Sequence, residues 1–318
     1  MTMMRAITSR LLVTLVVLWA VFSLTFLLIH LAPGDPFARA EGLSPEVQAS
    51  LRARHGLDRP LGEQYFDELA RSVVGDFGSS LSFRPGVPVS EILARRLPIS
   101  MAVGIPALGL ALLLGIFFGL LASVRGGWVD QVLSLLFLVI MSASVIGVGG
   151  ALRRWFVEDL QWLQLGGTGT WRSWVLPVVT LGVAYASIFQ RLVRSNVRRV
   201  LDGPRFKGVR SRGVNRGTIF WKYVLPEALV PLLSYIGPAI AALLTGSFVV
   251  ETLFEIPGMS YCFVQGAHGR DYPLLMGAIL FYTAILVVLN LLFESLHLWL
   301  DPRKRYTVPG KSPAGRER

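Results

Sequence analysis

Six stretches of this sequence are apolar for long enough to cross a lipid bilayer, and nothing else constrains the fold as much. A hydrocarbon core of about 30 Å needs about 20 helical residues. Such runs lie at Leu11–Ala32, Ser100–Val124, Val129–Ala151, Trp174–Leu192, Ala228–Leu253 and Leu275–Leu300. In lipid every backbone N–H and C=O must bond within the protein, so spans of this kind are helices. The expected fold class is all-α, a polytopic membrane protein of about six transmembrane helices. Composition agrees: 53% of residues are hydrophobic and 16% charged, against about 25% charged in soluble proteins.

Individual runs carry marks of their own. The third has Ser142, Ser144 and three glycines towards its end, the fifth contains Pro231 and Pro238, and the sixth ends in Glu294 and His297. Arg5 and Arg10 precede the first run, as in a signal peptide. Its apolar stretch is too long for that role, and Leu31-Ala32-Pro33 is a poor cleavage site, so a retained helix is expected. Gly115-Ile-Phe-Phe-Gly119 fits the G-x-x-x-G packing pattern, although the abundance of glycine in membrane helices accounts for it slightly better.

The net charge of +11 is distributed as a topology signal rather than as a nucleic-acid surface. With a cytoplasmic N-terminus, nineteen of the 31 Lys and Arg fall in cytoplasmic segments and twelve outside, which satisfies the positive-inside rule. Six spans then leave both termini in the cytoplasm. Two hydrophilic regions stand out, an outer loop over 33–99 and a cytoplasmic loop over about 193–227. In the outer loop, Ser44-Pro45-Glu46 reads as a helix start with Gly56 as its stop. Leu61, Tyr65, Leu69 and Val73 then recur every four residues, which predicts a second short amphipathic helix.

Catalytic chemistry is not in view. Gly310-Lys311-Ser312 imitates the end of a P-loop, but Arg305 stands at the earlier glycine position and no strand precedes it. No ATP site, cofactor or metal site is expected, and any ATP-driven activity belongs to another subunit. The single cysteine, Cys262, rules out an intrachain disulfide framework. Two acids are candidates for a translocation path or partner contact. Glu251 lies near the outer end of the fifth span, where a headgroup-level carboxylate is an equal reading. Glu294 lies in the last span, three residues from His297, where an interfacial hydrogen-bonded pair competes.

The stretch Pro204–Pro226 sets Phe206, Val209, Ile219, Phe220, Trp221 and Val224 among basic residues. Such a surface suits a protein groove or an anionic lipid face, and composition alone favours lipid. The order of residues changes that balance. Lys207-Gly208-Val209, Gly213, Tyr223 and Leu225-Pro226 keep the spacing of the E-A-A, G, I and L-P signature of ABC importer permeases. Leu31-Ala32-Pro33-Gly34-Asp35-Pro36, Gly75-Asp76-Phe77-Gly78-Ser79-Ser80, Arg96-Leu97-Pro98, Val250-Glu251-Thr252 with Pro257-Gly258, Arg270-Asp271-Tyr272-Pro273 and Asp301-Pro302-Arg303-Lys304-Arg305-Tyr306 follow in order. Together they resemble the B-type permease of the dipeptide, oligopeptide and nickel ABC importers. The segment Met141–Glu158 departs from that pattern.

The resemblance implies a bacterial inner-membrane half-pore, not itself an enzyme. It would pair with a homologous C-type permease, sit over two ATP-binding subunits and receive peptides or a similar solute from an extracytoplasmic binding protein. It also implies that 204–226 is the ATPase-coupling loop, carried by Lys207, Gly208, Val209, Gly213, Tyr223, Leu225 and Pro226. The expected organisation is a first helix with an outer loop over 1–99, a five-helix core over 100–306 and a disordered tail over 307–318. An ATPase-independent transporter or channel is the alternative, and the scarcity of ionisable residues at mid-span counts against it.

Overall fold

The computed structural model describes residues 2–31, 58–203 and 215–300. Ten α-helices lie in them: α1 (Thr2–Leu31), α2 (Leu61–Val73), α3 (Val89–Arg125), α4 (Gly127–Ser142), α5 (Val145–Arg153), α6 (Arg172–Asp202), α7 (Arg216–Ile219), α8 (Leu225–Leu253), α9 (Met259–Gly269) and α10 (Tyr272–Leu300). Two π-helical turns, Arg154–Asp159 and Phe220–Val224, follow α5 and precede α8.

The most extensive contact joins α3 to α6, and small residues make it possible. A Cβ on Gly119 would sit 2.8 Å from Val193 Cβ, one on Gly182 would sit 2.7 Å from Leu110 Cδ2, and one on Gly115 would collide with Phe189 Cβ. Glycine at these points lets the two backbones approach closely. The G-x-x-x-G pattern is therefore a packing face, and the reading from glycine abundance is corrected.

The register of these contacts carries a topological consequence. Leu110 meets Gly182, Gly115 meets Phe189 and Gly119 meets Val193, so numbering rises along both helices in the same direction and α3 and α6 are parallel. The chain between them must therefore return across the same layer. That return is made by α4 and α5, which are bent by 92° at the break between them. The expected continuous third span, Val129–Ala151, is thus two helices. Ser142 Oγ donates back to the carbonyl of Leu138 at 2.8 Å, a bond that competes with the helix ladder. Ala143 and Ser144 then take extended backbone, with ψ of 136° and 130°. Gly149 lets α5 lean on the end of α8, since a Cβ there would lie 2.6 Å from Leu253 Cδ2.

Cores follow the same layering. Phe189, Val193 and Val197 of α6 bury against Ala228 and Leu232 of α8, while Leu176 and Leu181 meet Leu243, Val250 and Phe254. These pairings run in opposite order, so α8 is antiparallel to α6. Phe22, Phe26 and Ile29 of α1 pack on Met276 and Leu280 of α10. The first turns of α1 and the last of α10 consequently share one end with Arg125, Arg194, Arg198 and Lys222, here called the basic end.

Four segments, Arg10–Leu31, Val89–Arg125, Arg172–Asp202 and Tyr272–Phe293, are each long and apolar enough to cross a membrane, and the α4–α5 pair makes a fifth. The expected crossing Ala228–Leu253 falls within α8, whose 29 residues reach about 43 Å. Expected ends move in two places. The second helix starts at Val89, eleven residues before Ser100, and runs through Pro98 and Pro106. The fourth continues past Leu192 to Asp202, because buried Val193, Asn196 and Val197 alternate with Arg191, Arg194, Arg198 and Arg199 at helical spacing. Its polarity had placed residues 193–202 in a loop. The amphipathic repeat in 61–73 is a helix, with Tyr65 and Leu69 packed on α1 and α10, while Leu61 and Val73 are exposed. Ser44-Pro45-Glu46, Gly56 and the 307–318 tail lie outside the described residues.

Gly119→Leu should cost about 1–3 kcal/mol by overpacking and lower the detergent melting temperature. Gly109→Leu, where a Cβ has nothing within 4 Å, should leave it unchanged. Size-exclusion melting curves of the two variants test the close α3–α6 approach.

Candidate functional site

At the basic end, the segment from Asn215 leads into α8. Asn215 Oδ1 accepts the Gly217 N–H at 3.1 Å, an Asx turn that starts α7. The π-helical turn Phe220–Val224 then rotates successive side chains apart. Val224 is wholly buried with Val193, Val197 and Ala228, and Phe220 packs on that cluster. Trp221 and Tyr223 face outward at 67% and 47% exposure. Leu225 is half-buried, and Pro226 sits in the first turn of α8, where its missing N–H is harmless. Lys207, Gly208, Val209 and Gly213 lie outside the described residues.

Beside this segment stands an ion cluster. Gly126 and Gly127, both left-handed with φ of 60° and 56°, reverse the chain between α3 and α4 and put Asp130 in the first turn of α4. Its carboxylate accepts Arg194 Nε at 2.5 Å and Nη2 at 2.8 Å, and also Arg198. The arginines are four residues apart on α6 and so share one face.

The opposite end holds three tight polar knots. In the first, Glu251 is wholly buried and its Oε2 accepts the Ser260 N–H at 3.1 Å. Met259 N donates to Ser100 Oγ at 2.8 Å, and Arg96 donates to the Pro257 carbonyl at 2.7 Å while lying over the Tyr261 ring. This holds an elbow, with Glu255 left-handed at φ 57°, between α8 and α9. The headgroup-level reading of Glu251 is thereby corrected, because the carboxylate points into the protein.

In the second, Arg153 Nη1 donates to the Leu253 carbonyl at 3.1 Å and its guanidinium lies 3.4 Å from Glu158 and 3.7 Å from Glu255. A cation there offsets the bare carbonyls at the end of α8. In the third, Asp271 Oδ2 accepts Ser80 Oγ at 2.5 Å and the N–H groups of Leu81, Ser82 and Phe83 at 3.0–3.1 Å. Asp271 Oδ1 accepts Leu274 N–H at 3.2 Å, which caps α10. One carboxylate thus fastens the 76–88 loop to the last long helix.

A cleft of about 570 Å³ opens on the same side, lined by residues that include His30, Arg59, Asp67, Glu68, Arg71 and Tyr272. Burial pushes the Glu68 carboxyl above its ordinary range, partly offset by His30 and Arg71. Glu294 is in α10, in the last two turns before its final residue Leu300. Among the described residues no group of three His, Cys, Asp or Glu is placed to hold a metal.

Residues 111–306 match the family described as the binding-protein-dependent transport system inner membrane component, and residues 3–104 match its N-terminal counterpart. The chain belongs to this family. It is 33% identical over 315 residues to the oligopeptide transport system permease protein OppB of Haemophilus influenzae, covering 96% of this chain and 100% of that one. It is 34% identical over 292 residues to the dipeptide transport system permease protein DppB of Bacillus subtilis, covering 88% and 91%. In fold it resembles the MetNI methionine ABC transporter in an inward-facing conformation, with a TM-score of 0.54 at 15% identity over 66% of this chain and 97% of that one. A crystal structure of an amino acid ABC transporter gives 0.53 at 16%, over 67% and 94%.

The protein is therefore a membrane permease subunit that works with a binding protein and an ATPase, and the chemistry of ATP hydrolysis lies in its partners. Reading the sequence by charge class missed Asp130, Arg153 and Asp271 as structural acids and bases. One signal was present for Asp130: it is the single carboxylate between Arg125 and Glu158, three residues after a Gly-Gly corner.

Asp271→Ala leaves the buried Ser80 hydroxyl and three part-buried N–H donors unanswered and should cost the permease about 3 kcal/mol, while Asp271→Asn keeps a carbonyl oxygen and should cost about 1 kcal/mol. Hydrogen exchange at residues 81–83 should rise in the first variant far more than in the second. A separate expectation concerns Cys262, whose buried thiol is pushed up to about 11. Maleimide labelling at pH 8 should be roughly a hundredfold slower than for a free thiol, and recover in denaturing detergent.

Proposed function

We propose that this permease forms one half of the translocation path of a peptide importer, with both termini in the cytoplasm. The observation that carries this is the near full-length likeness to oligopeptide and dipeptide permeases, combined with a basic end that collects Arg125, Arg194, Arg198 and Lys222 beside the segment leading into α8. Anionic lipid and the translocation machinery keep such an end on the cytoplasmic side.

A homologous C-type permease supplies the other half of the path, and two ATP-binding subunits sit beneath the basic end. Residues 204–226 dock into them, with Trp221 and Tyr223 as apolar anchors and Lys207 and Gly213 in the same stretch of sequence. Closure of the ATPases on ATP displaces this segment, and α6 and α8, which it joins, carry the motion upward. The elbow built on Glu251 lies at the far end of α8, where it takes part in closing the path. The 76–88 loop and the cleft beside it form the platform for the binding protein, which selects the peptide.

A phosphatase reporter fused after residue 75 should be active outside the membrane, and one fused after residue 215 should be inactive. Lys207→Glu and Gly213→Trp should each lower ATPase co-purification at least fivefold with insertion unchanged. The reverse reporter pattern contradicts the orientation, and undiminished co-purification of both variants contradicts the docking role.

A further inference from the structure

The cluster around Asp130 has a position that its charge alone does not explain. Asp130 is 5% exposed, though it lies near a helix end where water is within reach of most acids. Both carboxylate oxygens are taken by arginines of another helix, Arg194 in bidentate geometry and Arg198 in addition. Planar guanidinium pairs of this kind fix orientation as well as distance. The α6 helix does not need them for its placement, because Gly115, Gly119 and Gly182 already seat it against α3. What the cluster adds is a bond between α6 and α4.

Those two helices have distinct connections. Arg194 and Arg198 lie in the last turns of α6, which ends at Asp202, directly before residues 204–214 of the docking segment. α4 is the first leg of the bent return crossing, and its second leg, α5, reaches the opposite end. There Gly149 rests on Leu253 and Thr180, and Arg153 holds the carbonyl of Leu253, the last residue of α8 before the elbow that Glu251 braces and Glu255 turns. A single chain of contacts therefore runs from the last turns of α6 through Asp130, the 92° bend and Arg153 to the elbow. Helices joined only by apolar packing can slide past each other, whereas a bidentate ion pair on a buried carboxylate resists sliding because separation leaves that carboxylate unpaired.

We propose that Asp130, through Arg194 and Arg198, is a positioning residue that makes α4 move with the end of α6. Displacement of the docking segment then reaches the α8 elbow through the bent crossing as well as along α8 itself. This rests on the reading that residues 204–226 engage the ATPases.

The test uses the complete importer, permease pair, ATPases and binding protein, reconstituted in lipid nanodiscs. Mg·ATP hydrolysis is measured with and without the cognate binding protein loaded from a mixed tri- to pentapeptide pool. Asp130→Asn keeps shape and loses charge, Arg198→Gln is milder because Arg198 is partly exposed, and Asp130→Glu keeps charge. The expected result for Asp130→Asn and Arg198→Gln is an intact complex with basal hydrolysis within twofold of the parent. Stimulation by the loaded binding protein falls at least fivefold in Asp130→Asn and at least twofold in Arg198→Gln. Asp130→Glu retains at least half of the parent's stimulation.

Intact complexes of both neutral variants with stimulation within twofold of the parent overturn the joint. Loss of the ATPases from both makes the cluster an assembly element and overturns it too. A Gly213→Trp control run in parallel separates the two readings. If that chain keeps its ATPases, the docking reading has failed and the joint falls with it. If it loses them while Asp130→Asn is fully stimulated, the docking reading stands and the joint alone is wrong.

Discussion

The close parallel packing of α3 on α6 is the constraint from which the rest of the permease follows. Two parallel neighbours in a membrane cannot be joined by a short turn. The intervening chain must cross back, and here it does so as a bent pair of helices rather than as one straight span. Glycines at 115, 119 and 182 make the contact close enough to exclude alternatives, since any larger side chain would push the backbones apart. α8 then covers the other face of α6 in the opposite direction, and α10 and α1 complete the layer.

Rigidity is distributed unevenly over this frame. At the end opposite the basic one, two buried carboxylates and an arginine act as fasteners: Asp271 collects the Ser80 hydroxyl and the 81–83 backbone, Glu251 holds the elbow, and Arg153 closes the carbonyl end of α8. Asp271 and Glu251 are buried and hydrogen-bonded, the condition under which a charge inside a protein is tolerated, while Arg153 stays partly exposed. At the basic end the segment leading into α8 exposes Trp221 and Tyr223, and Asp130 with its two arginines is the main polar tie among the described residues there. A stiff far end and a more open near end suit a subunit that receives motion from one side and delivers it to the other.

Much of this was legible in the sequence because lipid leaves little freedom. Long apolar runs must be helices, so the all-helical fold and the approximate place of most spans followed from hydropathy. The 61–73 helix followed from a four-residue repeat. Three features did not follow. The extension of α6 to Asp202 was hidden because arginines on one face of a helix read as a loop when composition is averaged. The bend at Ala143 comes from a serine back-bond and two extended residues, which leave no apolar gap. Partners such as Asp271 and Ser80 are almost two hundred residues apart, and no single-sequence pattern joins them. Glu251 shows the limit in another way: its position near a span end was right, but only packing reveals that it faces inward.

The central claim is that this chain is one permease of a multi-subunit, ATP-driven importer. The most direct test is affinity purification from the native host in mild detergent, with bound proteins identified by mass spectrometry. The account predicts recovery of a second, homologous permease together with ATP-binding subunits. Recovery of the folded chain alone, under conditions that keep a known importer of this kind intact, would contradict it.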